Sequence, residues 1–462
     1  MTPLLALAPI MLAIALLILR QSSWISATAG VIAAGLSVVL FFPTPMSVLL
    51  QSGADYFPLI LEVALILLFG MVLARLLEAA GSMGEISAWV ESAAPSRPLG
   101  VALVVFGIVP FAESVTGFGI GVTIGVPVLR LLGCSLRQSA MLGLLGLIAV
   151  PWGALGPGTT VAAALADLDV DELGVATAWI NAIPVVIVAA SVILIMRPGL
   201  VSCLGIAATA ALMWAGILTA SIAIGMAPAG IIGSLLVIAV MGGLFIIRRR
   251  STGFTRRLGI AVLPYATLTL GLLLARALQS TFPSLLTQIV ASPPFWLAAA
   301  CIIAAFTVDS RRTVTRSAVR SWAPIGAGTA AFMLMGWIMT TTGMSAAIGS
   351  LVPAGLVLLT PRLTATGAVV TGSNTGANSM FTGTIDAVAA ASHVSSLPVV
   401  AAGNAAGSLA ALAAPPRVAM SVQMADPSGP ASASDIGWVQ GRALAVAGAN
   451  ALCLGLWIQF MV

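Results

Sequence analysis

The stretch VPFAESVTGFGIGVTIGVP at residues 109–127 interrupts an apolar chain with four Gly, two Pro, two Thr, one Ser and one Glu. In a continuous helix each Gly would cost roughly 1 kcal/mol and each Pro about 3 kcal/mol relative to Ala. A break in the helix is therefore the cheaper conformation. A second such stretch, VTGSNTGAN at residues 370–378, lies in the other half of the chain. The sequence thus predicts one broken helical segment in each half.

The remainder of the chain is strongly apolar. Of 462 residues, 60% are hydrophobic and 7% are charged, and the mean hydropathy is +1.13. A soluble domain carries roughly 25% charged residues. Only helices and closed barrels satisfy every backbone group inside a bilayer, and the apolar runs here are continuous rather than alternating. At about 20 residues per span, the sequence predicts an all-α polytopic protein with about 12 transmembrane helices in the lipid bilayer.

The basic residues indicate the orientation. Two arginine clusters are separated by two predicted spans, so both lie at one face of the membrane. They are Arg248, Arg249, Arg250, Arg256 and Arg257, followed by Arg311, Arg312, Arg316 and Arg320. By the positive-inside rule this face is cytoplasmic, although an arginine-rich site for lipid or a partner is the alternative. The sequence pI near 9.7 then reflects topology rather than nucleic-acid binding. We expect a multi-pass protein of the bacterial cytoplasmic (inner) membrane.

Further helix breaks follow each Gly-rich stretch, near Pro151 in the first half and near Pro415 in the second. Gly117 and Gly372 are 255 residues apart, and Pro151 and Pro415 are 264 residues apart. Such matching predicts an internal repeat, and repeats in transporters are commonly inverted, with helix N-termini directed at an anionic substrate. We therefore divide the chain into a first repeat, 1–247, with broken segment 109–127, and a second, 248–462, with broken segment 364–381. Simple helix-packing seams of small residues are the alternative.

Carboxylates inside spans are costly and indicate functional sites. Glu113, at the start of the first broken segment, is the leading candidate to carry a coupling proton, and it could instead cap backbone N–H groups. Glu62 and Asp386 are rival proton sites, or could pair locally with an arginine or a hydroxyl. The chain has one His and four scattered Cys, which exclude most catalytic triads and metal sites. We expect no enzyme activity, no metal and no cofactor.

The two broken segments resemble those of the L-lactate permease family. The first has Glu, small residues and Gly-Phe-Gly over residues 113–119, and the second has Gly-Ser, Asn, Thr, two small residues and Asn over residues 372–378, then Phe381. The resemblance implies proton-coupled uptake of lactate, glycolate or a similar 2-hydroxy-monocarboxylate. It also implies an ion-transporter-like architecture of inverted repeats and re-entrant hairpins with elevator-like motion. The family usually has Asp where this chain has Asn374, Lys at Leu412 and Gln at Arg417, so the chain resembles a divergent member.

Our leading hypothesis is a secondary active transporter, or permease, that takes up a small organic anion by proton symport. Main-chain N–H groups and hydroxyls of both broken segments would hold the carboxylate, two Asn would orient its hydroxyl, and an Arg would reach inward. The expected substrate-binding residues are Thr116, Gly117, Phe118, Gly119, Ser373, Asn374, Thr375, Asn378, Asn404 and Arg417.

Two other functions remain open at this point. Asn374 in place of Asp suits a site of neutral oxygens for Na⁺, which would make the chain a sodium-coupled carrier of another anion, such as a dicarboxylate or sulfonate. A channel or a structural membrane subunit is the third reading, against which the paired breaks argue. The oligomeric state, monomer or homodimer, also stays open.

Overall fold

The structure, a computed structural model, describes residues 2–82, 96–117, 119–249, 256–353 and 355–461. Every regular element within these ranges is a helix, and they contain no β-strand. The predicted all-α class is therefore confirmed.

The helices of residues 2–249 are numbered in chain order. They are α1 (Thr2–Ala6), α2 (Ala8–Ile18), α3 (Ser23–Leu40), α4 (Met46–Ala79), α5 (Arg97–Leu103), α6 (Val109–Thr116), α7 (Ile120–Leu131), α8 (Leu136–Leu145), α9 (Pro157–Leu165), α10 (Val170–Ile180), α11 (Ala182–Met196), α12 (Leu200–Ala223) and α13 (Met226–Arg249). A π-helical segment, Val104–Ile108, joins α5 to α6, and a 3-10 segment, Gly146–Leu155, follows α8.

The numbering continues through the second half. These helices are α14 (Arg256–Thr281), α15 (Leu285–Ala291), α16 (Pro293–Ala305), α17 (Arg311–Thr341), α18 (Met344–Gly349), α19 (Thr360–Thr371), α20 (Asn374–Ala391), α21 (Ser396–Ala410), α22 (Pro415–Ala425) and α23 (Ala433–Met461). Short 3-10 segments, Val357–Leu359 and Ala411–Ala413, precede α19 and follow α21.

Ten helical segments of the described ranges are long and apolar enough to cross a membrane, and up to twelve if each of two bent pairs is one span. The longest, α4 and α17, have 34 and 31 residues. Large apolar side chains such as Val201 and Phe460 are 84% and 85% exposed. A bilayer would cover such side chains. These features agree with the predicted polytopic fold of about 12 spans.

Three helix ends that carry arginine mark one face of the molecule, and the direction of each helix is described relative to that face. Helix α13 ends at Arg249, and α14 and α17 begin at Arg256 and Arg311. Helix α14 leaves this face, the bent pair α15–α16 returns to it, and α17 leaves it again. We call it the arginine-rich face.

The first broken segment is a helical hairpin, here the first hairpin, residues 97–131. Its base lies beside α8, because Arg97 Nη2 donates to Gln138 Oε1 at 3.0 Å and Gln138 Nε2 donates to Ile195 O at 3.3 Å. Ile195 precedes α12, which pairs with α13, the helix that ends at Arg249. The first hairpin therefore starts from the arginine-rich face and returns to it.

The second broken segment forms the second hairpin, residues 360–391, with α19 and α20 as its arms. A Cβ on Gly367 would lie 2.8 Å from the Phe381 ring of the other arm. The backbone N–H of Gly355 donates to Ser392 Oγ at 3.1 Å, which joins the two ends. Helix α20 lies beside the end of α17 and the following α18. The second hairpin is therefore based at the face opposite the arginine-rich one.

Each hairpin is followed by a helix that crosses the molecule with a break in its middle. The first broken helix, α8–α9, is interrupted at Gly156, and the second, α21–α22, at Ala414. Helix α22 returns beside α8, where Ser421 Oγ donates to Ala140 O at 2.8 Å. The two broken helices therefore cross in opposite directions.

The order of elements is the same in both halves: a hairpin, a helix with a 3-10 segment, a break, and a helix that begins with Pro. Pro157 and Pro415 occupy that position, and they are 258 residues apart. This separation is closer to the 255 residues between Gly117 and Gly372 than is the 264-residue separation of Pro151 and Pro415. Pro151 also lies inside the 3-10 segment rather than at the start of a helix. The correspondence of Pro151 with Pro415 is thus corrected to Pro157. That the halves form inverted repeats stays a prediction.

Candidate substrate site

The four helix breaks meet at one cavity of about 410 Å³, here the central cavity. Each break contributes lining residues, and α3, α4 and α17 close the remaining sides. From the breaks come Gly117, Pro157, Gly158, Thr371, Gly372, Ser373, Asn374, Thr375, Gly376, Ala414, Pro416 and Arg417. Four separate interruptions of regular structure therefore surround the same space, as expected where non-helical backbone lines a protected cavity.

The tip of the first hairpin is closed by its own carboxylate. Gly117 has φ 70° and ψ −165°, a conformation essentially restricted to glycine, and it turns the chain back on itself. Glu113 Oε1 accepts the Gly119 N–H at 3.0 Å, and Oε2 accepts the Gly121 N–H at 3.4 Å. Glu113 is buried and lines the central cavity. It thus caps the N-terminus of α7, one of the two roles expected for it.

The tip of the second hairpin has a neutral cap. Gly372 is left-handed, with φ 69°, and Ser373 Oγ accepts the N–H of Gly376 at 3.2 Å. The first N–H groups of a helix have no intrahelical acceptor, so those of Asn374 and Thr375 remain available at the cavity. Together with the positive end of the helix dipole, they make the start of α20 a favourable position for an anion.

The start of α9 lies beside the start of α20. A Cβ placed on Gly158 would lie 2.6 Å from Asn374 Nδ2 and 3.2 Å from the Thr375 backbone N. Only a residue without a side chain allows this approach. Helices α9 and α20 pack side by side and run toward the same face, so their N-termini lie next to each other at the cavity, and their combined dipoles favour negative charge there.

The fourth break supplies a cation instead of backbone donors. Helix α22 begins with Pro415 and Pro416, which have no N–H, and then Arg417. Arg417 Nη1 is buried and has no hydrogen-bond partner within the described part of the chain. Arg417 and Glu113 line the same cavity, but the ion pairs found among described residues do not include them. An anion in the cavity could take up this guanidinium.

A buried amide network holds the breaks of the two halves together. Asn404 Oδ1 accepts from Asn374 Nδ2 and Asn378 Nδ2, both at 2.9 Å, and Asn404 Nδ2 donates to Thr159 Oγ1 at 2.9 Å and Thr177 Oγ1 at 3.2 Å. The network thus connects α20 and α21 with α9 and α10. Asn378 and Asn404 are buried behind the cavity rather than in its lining. Asn374, which lines the cavity, keeps its buried Oδ1 without a partner among the described residues.

Several expected site residues lie apart from the cavity. The Thr116 hydroxyl donates to Ala112 O of its own helix at 2.5 Å, and Gly119 acts through the N–H that Glu113 accepts. Glu62 is half-buried on α4 and does not line the central cavity. Asp386 accepts a hydrogen bond from Ser396 Oγ at the far end of α20, a local pairing of the kind considered above. Phe118 lies outside the described residues.

Sequence reasoning missed several residues of the cavity. The sequence indicated Gly158 only as part of a helix break, not as a residue of the binding site. No sequence pattern indicated the lining residues that belong to unbroken helices. These latter residues include Ser22, Ser23 and Trp24 at the start of α3 and Thr329 and Phe332 on α17. They reach the cavity through tertiary packing alone.

The chain matches a family model and is similar to a solved transporter structure. The L-lactate permease family model matches residues 2–248, more than half of the chain. No curated protein matches it. Among solved structures, the chain is similar to the YdaH transporter of Alcanivorax borkumensis, whose crystal structure shows an unusual topology. The sequence identity is 16%, the similarity covers 90% of this chain and 88% of that one, and the TM-score is 0.45. The family match places the chain among permeases rather than enzymes, and we conclude that it is a member of the L-lactate permease family.

Proposed function

We propose that this permease carries a small 2-hydroxy-monocarboxylate, such as lactate or glycolate, and that the central cavity is its binding site. The observation that carries the proposal is the convergence of four helix breaks on one cavity, where an Arg417 nitrogen has no hydrogen-bond partner among the described residues. A monocarboxylate has one charge, and Arg417 is the one cation among the described residues that line this cavity. The size of the cavity, about 410 Å³, is ample for such a small anion.

The carboxylate would bind in the central cavity, in front of the adjacent starts of α9 and α20. Its oxygens would accept from the N–H groups of Asn374 and Thr375 and from the Arg417 guanidinium. Charge-assisted hydrogen bonds of this kind contribute roughly 1.5–3 kcal/mol each. The 2-hydroxyl would lie against Asn374 and Thr375, whose side chains line the cavity. In this proposal Asn378 and Asn404 act indirectly, because they hold Asn374 in place.

Glu113 would couple transport to protons. Before substrate binds, its carboxylate and the Arg417 guanidinium would attract each other across the cavity that both line. A bound anion would take the guanidinium and add a second negative charge beside Glu113. Like charges at close range disfavour ionisation of both groups, so the loaded site would bind a proton at Glu113. Substrate and proton would then move together.

The inverted repeat proposed from the sequence is supported by the helix directions. The two hairpins start from opposite faces, and the two broken helices cross in opposite directions. We place the arginine-rich face in the cytoplasm by the positive-inside rule, with the protein in the inner membrane of a bacterium. Elevator-like motion of the hairpins and broken helices remains part of this proposal.

Uptake into proteoliposomes tests the function. With an acidic exterior, the wild-type protein should concentrate labelled lactate. Glu113→Gln, which keeps the shape but not the proton site, should lose uphill uptake while it retains exchange. Glu62→Gln is the matched control, because that half-buried glutamate lies outside the central cavity, and it should behave as wild type. Uphill uptake by the Glu113→Gln protein would remove Glu113 from the mechanism.

Sodium coupling is the second candidate, and one observation favours it. Asn374 Oδ1 is a buried neutral oxygen beside the cavity and has no partner in the described part of the chain; it is the type of ligand that a hard cation accepts. Uptake driven by a sodium gradient at equal pH on both sides would support this candidate. Uptake that follows only the pH gradient would exclude it.

A further inference from the structure

A second cavity lies near the face opposite the arginine-rich one, between α4, α9 and α17. It has a volume of about 520 Å³, and polar side chains line it: Gln51, Ser52, Asp55, Asp167, Thr340 and Thr341. Asp55 and Asp167 are exposed, so water reaches this space. We call it the outer cavity.

The same three helices also line the central cavity. Helix α4 contributes Leu67 to it, α9 contributes Gly158, and α17 contributes Thr329 and Phe332. Thr329 and Thr340 are on one helix, about 16 Å apart along its axis. The two cavities are therefore successive spaces along one path between α4, α9 and α17.

Between the cavities these helices pack through a cluster of large hydrophobic side chains. The cluster consists of Tyr56, Val63 and Leu67 of α4, Val161 and Leu165 of α9, and Met333 and Trp337 of α17, all buried. We call it the apolar barrier. Hydrophobic constrictions close a pathway because water and ions do not wet them. A carboxylate therefore cannot cross while these side chains stay packed.

Trp337 is held in the barrier by a polar contact at its outer end. Its Nε1 donates to Ser52 Oγ at 2.9 Å, and Ser52 Oγ lies 3.1 Å from Thr341 Oγ1. The Phe57 ring packs against the indole with centroids 5.5 Å apart. The Ser52 hydroxyl thus fixes the orientation of the largest side chain of the barrier.

The central cavity has its exposed margin at the other end. Trp24 and Ile325, which line it, are 45% and 37% exposed. Ile325 lies nearer than Thr329 to the start of α17 at the arginine-rich face. The path is thus closed toward the outer cavity, and the central cavity reaches the molecular surface beside α3 and α17, nearer than the barrier to the arginine-rich face.

We propose that the apolar barrier is the closed external gate of the transporter, that the outer cavity is its external vestibule, and that Trp337 is the gate residue positioned by Ser52. The assignment rests on the proposed function only in that the central cavity is taken as the substrate site. Opening requires α9 to separate from α4 and α17, since the barrier contains side chains of all three.

Thiol labelling from each side of the membrane tests the gate without a substrate. Cysteines are introduced singly as Thr329→Cys and Thr340→Cys in a protein whose four native Cys are replaced by Ala. Oriented vesicles are treated with a membrane-impermeant maleimide. From the external side the Thr340→Cys variant should react at least about tenfold faster than the Thr329→Cys variant, as expected if the open state is a minor population. From the cytoplasmic side the order should be reversed.

The hydroxyl of Ser52 is tested in the same assay. Ser52→Ala should increase external labelling of the Thr329→Cys variant several-fold and leave that of the Thr340→Cys variant unchanged, which also reports an intact fold. Ser52→Thr, which keeps a hydroxyl, is the matched control. Equal external labelling at both positions would overturn the gate, and an unchanged rate in Ser52→Ala would overturn its positioning by Ser52. The expected labelling in a protein that fails to transport lactate would leave the gate standing and refute the proposed function alone.

Discussion

The two hairpins have the same breaks but opposite electrostatics. In the first, the helix after the break is capped by Glu113, a carboxylate from the same hairpin. In the second, the corresponding helix is capped by the Ser373 hydroxyl. The N–H groups of Asn374 and Thr375 have no acceptor within the helix. The N–H groups at the tip of the first hairpin thus bind the hairpin's own carboxylate, Glu113. Those at the tip of the second hairpin can bind a substrate anion. The comparison assigns the proton to the first hairpin and the substrate to the second.

The largest expected effect comes from a change that makes the second hairpin electrostatically like the first. Ser373→Asp should abolish lactate binding, because a carboxylate would occupy the anion position at the start of α20. Two like charges about 4 Å apart repel by roughly 4 kcal/mol near a protein surface, about a thousandfold in affinity. Asp caps helices about as well as Ser, so the fold should persist. Calorimetric titration with lactate measures the loss.

Ser373→Asn is the neutral control for that change. It is also a good cap and should bind lactate within about tenfold of wild type. Equal affinities of the Asp and Asn variants would mean that the second hairpin does not hold the anion.

The broken helices repeat the contrast, since Pro157 of α9 is followed by Gly158, whereas the prolines of α22 are followed by Arg417. Arg417→Gln should weaken lactate binding roughly a hundredfold, the value of a charge-assisted hydrogen bond of about 2.7 kcal/mol. Arg417→Lys should restore part of it. Arg362→Gln is the matched control, because Arg362 donates to Leu358 O at the base of the second hairpin. Retained affinity in Arg417→Gln would show that backbone donors suffice.

A smaller effect is expected where α9 meets α20. Gly158→Ala would place a methyl group 2.6 Å from Asn374 Nδ2, and overpacking costs about 1–3 kcal/mol. We expect lactate affinity to fall roughly tenfold with a lower thermal midpoint. Gly441→Ala, on α23 with open space around it, should change neither quantity. An unaltered Gly158→Ala protein would show that the two N-termini do not define the site.

Much of this contrast is visible in the sequence. Gly and Pro disfavour a continuous helix through backbone energetics alone, so residue types located the two hairpin tips and the break near Pro415, and placed the fourth break within a few residues. The rotation of a helix about its axis depends instead on its partners. The π-helical segment Val104–Ile108 adds a residue per turn just before Glu113, and no local pattern signals it. For the same reason the sequence could not show that Asn378 and Asn404 lie behind the cavity, or that Thr116 bonds to its own helix.

The most direct test of the central claim is whether lactate protects the tip of the second hairpin. In the Cys-free background, the Ser373→Cys variant is alkylated with and without saturating lactate, after calorimetry has shown that this variant binds it. At saturating lactate nearly every protein molecule holds the anion, so alkylation at this position should slow at least about tenfold. The alkylation rate of the Thr340→Cys variant should stay unchanged. An unchanged rate in a Ser373→Cys protein that binds lactate would place the substrate elsewhere and contradict the assignment of the central cavity.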